Sequence, residues 1–211
     1  MARQKATREI LPPLPVLAVA PALRGALRSG HVVLTAEPGS GKTTLVPLLL
    51  RDEPWLTGRK IVMLEPRRPA ARMAARRMAD LLGESIGGTV GYQVRFERVV
   101  SSRTRIEVVT EGLLLRRLQD DPELGDVGLL VFDEFHERNL VSDLSLALTL
   151  DVTRSLRDDL RVLVMSASLD AAPLARLLGA EVISAAGQCH AVEIHRAERD
   201  LDVRDPVPAC L

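Results

Sequence analysis

HVVLTAEPGSGKTTLVPLLLR, residues 31–51, reads as three consecutive pieces of backbone. HVVLTA (31–36) is a short β-branched and apolar run of the kind that forms a buried strand, EPGSG is a tight loop, and KTTLVPLLLR (42–51) is a helix. Gly39 and Gly41 let the loop take positive φ, so that its N–H groups form an anion nest that opens into a helix N-terminus. The string fits the phosphate loop GxxxxGK[ST], with Ala36 in place of the first glycine. In such a loop the backbone of Glu37, Pro38, Gly39, Ser40 and Gly41 and the first helical residues Lys42, Thr43 and Thr44 surround a triphosphate. Lys42 then reaches the β- and γ-phosphates, and the Thr43 hydroxyl is placed to ligate Mg²⁺. The plain alternative is a glycine turn between strand and helix, which has no need of Lys followed by Thr in the first helical turn.

A second stretch, VGLLVFDEFHER (127–138), complements the first. VGLLVF is apolar throughout, as a central parallel strand is when helices cover both its faces. Asp133 at its C-terminal end can hold Mg²⁺ through water, and Glu134 can orient or deprotonate an attacking water. An apolar strand running into a solvated acidic loop is the alternative when this stretch is taken alone, and the phosphate loop upstream weakens it.

The remainder alternates as a doubly wound α/β sheet does. Strands are expected at 60–65, 91–96, 105–110, 161–166 and 181–184, and helices at 21–28, 69–82, 111–119, 140–156 and 171–178. Right-handed crossovers make such a sheet mostly parallel and place its ligands beyond the strand C-termini. At 46% hydrophobic and 27% charged, the 211 residues suit one soluble domain with a core of Leu, Val, Ala and Met. The formal charge is zero and aromatics make up 2%, which argues against a wholly basic coat or an aromatic stacking platform for nucleic acid. Lysine occurs only at Lys5, Lys42 and Lys60, so the positive charge is nearly all arginine. Cys189 and Cys210 have neither metal-ligand nor disulfide spacing, which suggests a reducing cytoplasm. Basic residues followed by ILPPLPVLAVA resemble a secretory signal, but Pro12, Pro13, Pro15 and Pro21 break it. No stretch reaches the ~18 unbroken apolar residues of a membrane span.

The expected strand ends carry more chemistry. EPRRPAAR follows 60–65, TEGLLLRR follows 105–110, and SAS follows 161–166. Pro66, Arg67 and Arg68 lie where a phosphate backbone can be gripped, with Arg72 and Arg76 one turn apart behind them. A solvated helix face is the alternative for Arg72, Arg76 and Arg77. Thr110, Glu111 and Gly112 open a helix, where a hydroxyl and free N–H groups can take a phosphate; an ordinary N-cap explains them equally well.

Taken together, AEPGSGKTT, EPRRPAAR, TEGLLLRR, DEFHER and SAS, in this order, resemble the first RecA-like domain of superfamily 2 helicases, most closely the DEAH-box branch with its bacterial HrpB-type members. The resemblance implies an α/β RecA-like P-loop NTPase domain over 14–185, with an extension at 1–13 and an irregular tail at 186–211. It implies ATP and Mg²⁺ at the first block and a catalytic set of Lys42, Asp133, Glu134 and His136. It also implies single-stranded RNA or DNA on Pro66, Arg67, Arg68, Thr110, Glu111 and Gly112. Ser166, Ala167 and Ser168 would couple hydrolysis to domain movement, the two serines through hydrogen bonds to the Asp133 to His136 loop. Phe135 stands where DEAH has alanine and would add bulk beside the γ-phosphate side of the pocket; Ser168 replaces threonine.

Helicases of this type use a second RecA-like domain that supplies an arginine finger, and the tail from 186 reads as too short and Pro-broken to be one. The chain is therefore expected to bind ATP, to hydrolyse it slowly alone, and to need a partner domain. Two other readings are a nucleotide-switched nucleic-acid or protein binding module with little hydrolysis of its own, and a P-loop kinase, for which no lid or acceptor site is evident.

Overall fold

A computed structural model describes residues 12–167 and 170–186. The extension up to residue 11, Ser168, Cys189, Cys210 and the tail from 187 lie outside the described residues. The chain runs α1 (Val16–Ser29), β1 (Val32–Ala36), α2 (Lys42–Leu50), β2 (Lys60–Glu65), α3 (Arg68–Leu81), β3 (Val90–Val94), β4 (Glu97–Val99), β5 (Ile106–Thr110), α4 (Glu111–Asp120), β6 (Val127–Phe132), α5 (Leu140–Ser155), β7 (Arg161–Ser166), α6 (Ala171–Leu178) and β8 (Glu181–Ala185). Short 3₁₀ turns lie at Pro54–Leu56 and Phe135–Glu137.

One sheet holds all eight strands in the order β4-β3-β5-β2-β6-β7-β1-β8. Every pairing is parallel except the β3–β4 hairpin. Strand periodicity divides the side chains between two cores. Val32, Leu34, Ile61, Met63, Ile106, Val108, Leu129 and Val131 pack with α1, α2 and α3 on one face. Val33, Val62, Leu64, Val109, Leu130, Phe132, Val162 and Val164 pack with α4, α5 and α6 on the other. Burial on both faces explains why β6 reads as an unbroken apolar run: all six of its residues are buried.

Two features depart from the sequence reading. The first helix begins at Val16 rather than at 21, with Pro21 inside it. Val16, Ala20, Leu23 and Leu27 form one buried stripe at helical spacing, and burying that stripe outweighs the missing proline donor. Its start is fastened beside the phosphate loop, where Val16 N–H donates to the Ser40 carbonyl at 3.1 Å. The second is strand β4, which three residues of ERV do not signal and which exists because a hairpin folds it back on β3. The turn passes through Phe96 at φ 69°, and the fold-back is close at Gly91, where an added Cβ would lie 2.4 Å from the Val99 carbonyl oxygen.

Gly91→Ala should therefore destabilise the domain by about 1–3 kcal/mol through forced displacement of the β4 backbone. Urea denaturation measures it, and an unchanged midpoint would show that the hairpin is not held this tightly.

Candidate active site

β7 lies between β6 and β1, so the phosphate loop after β1 and the acidic loop after β6 flank the end of β7. The loop's conformation is the anion nest expected of it, with Gly39 at φ 78° and Gly41 at φ 90°. A side chain at Gly41 would be strained by its positive φ and would crowd Leu14, with a Cβ 2.8 Å from Leu14 Cδ1 and 3.1 Å from Leu14 Cβ. Beyond it α2 starts at Lys42, so its first N–H groups face the loop.

Across β7, the Thr43 hydroxyl donates to Asp133 Oδ2 at 2.5 Å, and Lys42 Nζ lies 2.9 Å from Glu134 Oε1. Lys42 and Asp133 are buried, whereas Glu134 is partly exposed. Glu134 sits in the left-handed region at φ 50°, uncommon for a side chain without a glycine's freedom, while its own N–H donates to Asp133 Oδ1 at 2.9 Å. Its second oxygen lies 3.3 Å from His136 Nδ1, which is also 3.5 Å from the Ala167 N–H. These are alternatives for one nitrogen: unprotonated it accepts from Ala167, and protonated it donates to Glu134.

The residues that follow β7 thus reach the acidic loop through the Ala167 backbone. The Ser166 hydroxyl is buried and finds no hydrogen-bond partner among the described residues; the same is true of Ser40 Oγ in the phosphate loop.

Glu65, the last residue of β2, is an addition that the sequence reading missed. Burial raises its carboxyl to about 9, reinforced by the charge of Asp133 and a hydrogen bond to it. Burial also raises Asp133, opposed by the Thr43 hydroxyl and the Glu134 amide that favour its ionised form. With those donors on Asp133, the shared proton resides on Glu65, which donates to Asp133 at neutral pH. The signal available in the sequence was an acidic residue ending an apolar strand, the same signature that marks Asp133.

Phe135 packs into the core on the α4, α5 and α6 face of the sheet. Its ring is buried edge-on against Phe132, 6.3 Å between centroids, under Arg138. An apolar ring next to an apolar core gains more from burial than from a polar pocket.

The blocks after β2 and β5 lie along the same strand-end edge. Arg67 is exposed and pairs with Glu137 at 3.0 Å; Pro66 is half-buried and Arg68 exposed. Arg72, by contrast, is engaged by Glu97, which also accepts from the Tyr92 hydroxyl, so α3 holds the hairpin with it. Thr110 occupies the N-cap position of α4 by its backbone but makes no side-chain capping bond. The Glu111 carboxylate accepts from Asn139 Nδ2 at 2.5 Å and from Ser142 Oγ at 2.6 Å, and Gly112 is exposed. Beyond them, at the end of β3, Phe96 is 90% exposed with Arg95 stacked over its ring at 4.7 Å.

This sheet, with a lysine-threonine phosphate loop facing two carboxylates across one strand, is a RecA-like P-loop domain. Residues 18–177 match the DEAD/DEAH box helicase family, and the chain belongs to it. It is 52% identical over 182 residues to the ATP-dependent RNA helicase HrpB of Escherichia coli K12, which covers 85% of this chain and 22% of that protein. The crystal structure of the E. coli DEAH/RHA helicase HrpB superposes with a TM-score of 0.78 at 52% identity over 82% of this chain and 22% of that one. A structure of the E. coli DExH-box NTPase HrpB gives 0.79 at 51% identity over 87% and 23%. The chain thus spans about a fifth of the length of these relatives. No helix among the described residues is long and apolar enough to cross a membrane.

The raised Glu65 value has a testable consequence. Its ordinary value is 4.5 and its folded value about 9, so between them the folded protein holds the extra proton and stability falls as pH rises. Metal-free protein should lose stability from about pH 5 to about pH 9, and Glu65→Gln, which keeps a donor toward Asp133, should flatten that decline in urea titrations. Parallel profiles for the two proteins would refute the protonated Glu65.

Proposed function

We propose that this chain is the ATP-binding domain of an ATP-dependent DEAH-box helicase acting on single-stranded nucleic acid, RNA in the first instance. The observation that carries the reading is the facing arrangement of Lys42 and Thr43 with Asp133 and Glu134. Lys42 would pair with the terminal phosphates of ATP, competing with Glu134 for the same ammonium. Glu134, so released, would accept a proton from the attacking water, with His136 beside it and the Ala167 backbone behind.

The donor set fits Mg²⁺. Thr43 and Asp133 present two hard oxygens, the small protein contribution usual for an ion held also by phosphates and water. They would hold it, and when bound it would neutralise charge on the β- and γ-phosphates. The Ser40 hydroxyl, without a partner among the described residues, would be a further donor within the loop.

For the strand, support comes from the row of groups along one sheet edge. Arg67 and Arg68 would grip its backbone, as would the uncapped Thr110 hydroxyl and the exposed Gly112 at the start of α4. Pro66 shapes the turn, and Arg95 with Phe96 extends the row. In keeping with the family reading, a second RecA-like domain would close over both ligands and supply an arginine finger, a group worth about 10³ to 10⁵ in kcat in related phosphoryl transfer. The coupling residues Ser166, Ala167 and Ser168 would answer to that closure, in a cytoplasmic protein.

Lys42→Ala should abolish ATP binding in equilibrium titrations, whereas Glu134→Gln should retain it and lower turnover by about 10²- to 10⁴-fold. Wild-type chain alone should hydrolyse slowly and gain poly(U)-stimulated turnover when joined to a second RecA-like domain. Fast stimulated turnover by the chain alone would overturn the need for that domain, and binding unaffected by Lys42→Ala would overturn the site.

A further inference from the structure

The acidic loop is held at four points within six residues. Glu134 meets Lys42, His136 meets Ala167, Glu137 meets Arg67, and Asn139 meets Glu111. The last of these joins two half-buried residues. Asn139 is partly buried and works in two directions: its Oδ1 caps α5, accepting from Val141 N–H and Ser142 N–H at 3.0 Å each, while its Nδ2 donates to Glu111 Oε1 at 2.5 Å. Ser142, brought round by that cap, adds a second donor to the same oxygen at 2.6 Å.

Glu111 is the first residue of α4, where a carboxylate is favoured by the helix dipole and repelled by any phosphate arriving at the same N-terminus. With one oxygen already taking two hydrogen bonds, it is an anchor between elements and a poor contact for a nucleic-acid backbone. Between Asn139 and Glu134 the chain is only a 3₁₀ turn and Arg138, itself at φ 38°. A span this short and strained transmits displacement and has little slack to absorb it.

We propose that Asn139 is a positioning residue: by tying the Glu111 end of α4 to the loop that carries Glu134 and His136, it makes nucleic acid lodged at Thr110 and Gly112 alter nucleotide affinity across the domain. This rests on the nucleic-acid reading above. Capping alone does not explain the residue, since Ser, Thr or Asp would cap α5 equally well. Only the amide adds a donor aimed at Glu111.

The test uses the full 211-residue chain and the ratio of its Kd for a fluorescent ATP analogue without and with saturating oligo(U). The wild-type ratio should be about fivefold or more. Asn139→Asp keeps the cap but replaces the donor with a charge facing Glu111; its ratio should fall to within about twofold of one, with a smaller loss of Tm than Asn139→Ala. Glu111→Gln, which still accepts both hydrogen bonds, should keep the wild-type ratio, and Asn139→Ala should lose both ratio and Tm. A wild-type ratio above one that survives Asn139→Asp overturns the relay while leaving the nucleic-acid reading standing. A loss of Tm in Asn139→Asp as large as that in Asn139→Ala, alongside the ratio, makes the effect one of stability alone and also overturns it. A wild-type ratio of one, with no oligo(U) binding, removes the nucleic-acid reading and the relay together.

Discussion

A parallel sheet must be re-entered from the same end after every strand, and the rest of this molecule depends on that constraint. Each crossover helix returns the chain to the start of the next strand, so the C-termini of β1, β2, β3, β5, β6 and β7 all arrive at one edge. Groups scattered along the sequence become neighbours there without any need for local proximity. The hydrogen bond from Thr43 to Asp133 spans 90 residues of chain and only one intervening strand.

Bringing acidic strand ends together has an electrostatic cost, and the site distributes it. Glu65, Asp133 and Glu134 approach one another where water is largely excluded, with Lys42 as the cation among them. Lys42 offsets Glu134 directly, Thr43 and the Glu134 amide satisfy Asp133, and Glu65 avoids a further charge by keeping its proton. One neutral carboxyl, one ion pair and one hydrogen-bonded carboxylate are cheaper than three unpaired anions side by side. The strained backbone at Glu134 is held by these same contacts from both sides, which stiffens the acidic loop.

Much of this was legible in the chain. Strand β2, strand β7 and helix α6 have the bounds that periodicity gives, and the phosphate loop and acidic loop occupy the places their residues imply. Local signals failed where long-range packing decided the outcome. The first helix runs through Pro21 because a buried stripe holds it, β4 is too short to carry a pattern of its own, and Phe135 follows Phe132 into the core. Arg72 reads as a solvated or phosphate-facing arginine until the hairpin supplies Glu97. Phe96 is one of very few aromatics, and composition gives no hint that it would stand 90% exposed at a turn.

What the sequence determined by itself is the chemistry at each strand end, because glycine loops, capping positions and apolar strands are set by short-range sterics and burial. Which strand ends would be neighbours, and which side chains would then be engaged, was decided only by the tertiary structure. Strand order places β7 between the two halves of the site, sets Ala167 behind His136, gives Glu65 its proton and turns Glu111 toward Asn139. Each of these follows from a pairing between distant segments, and a side chain's protonation or partner depends on the neighbours that such pairing delivers.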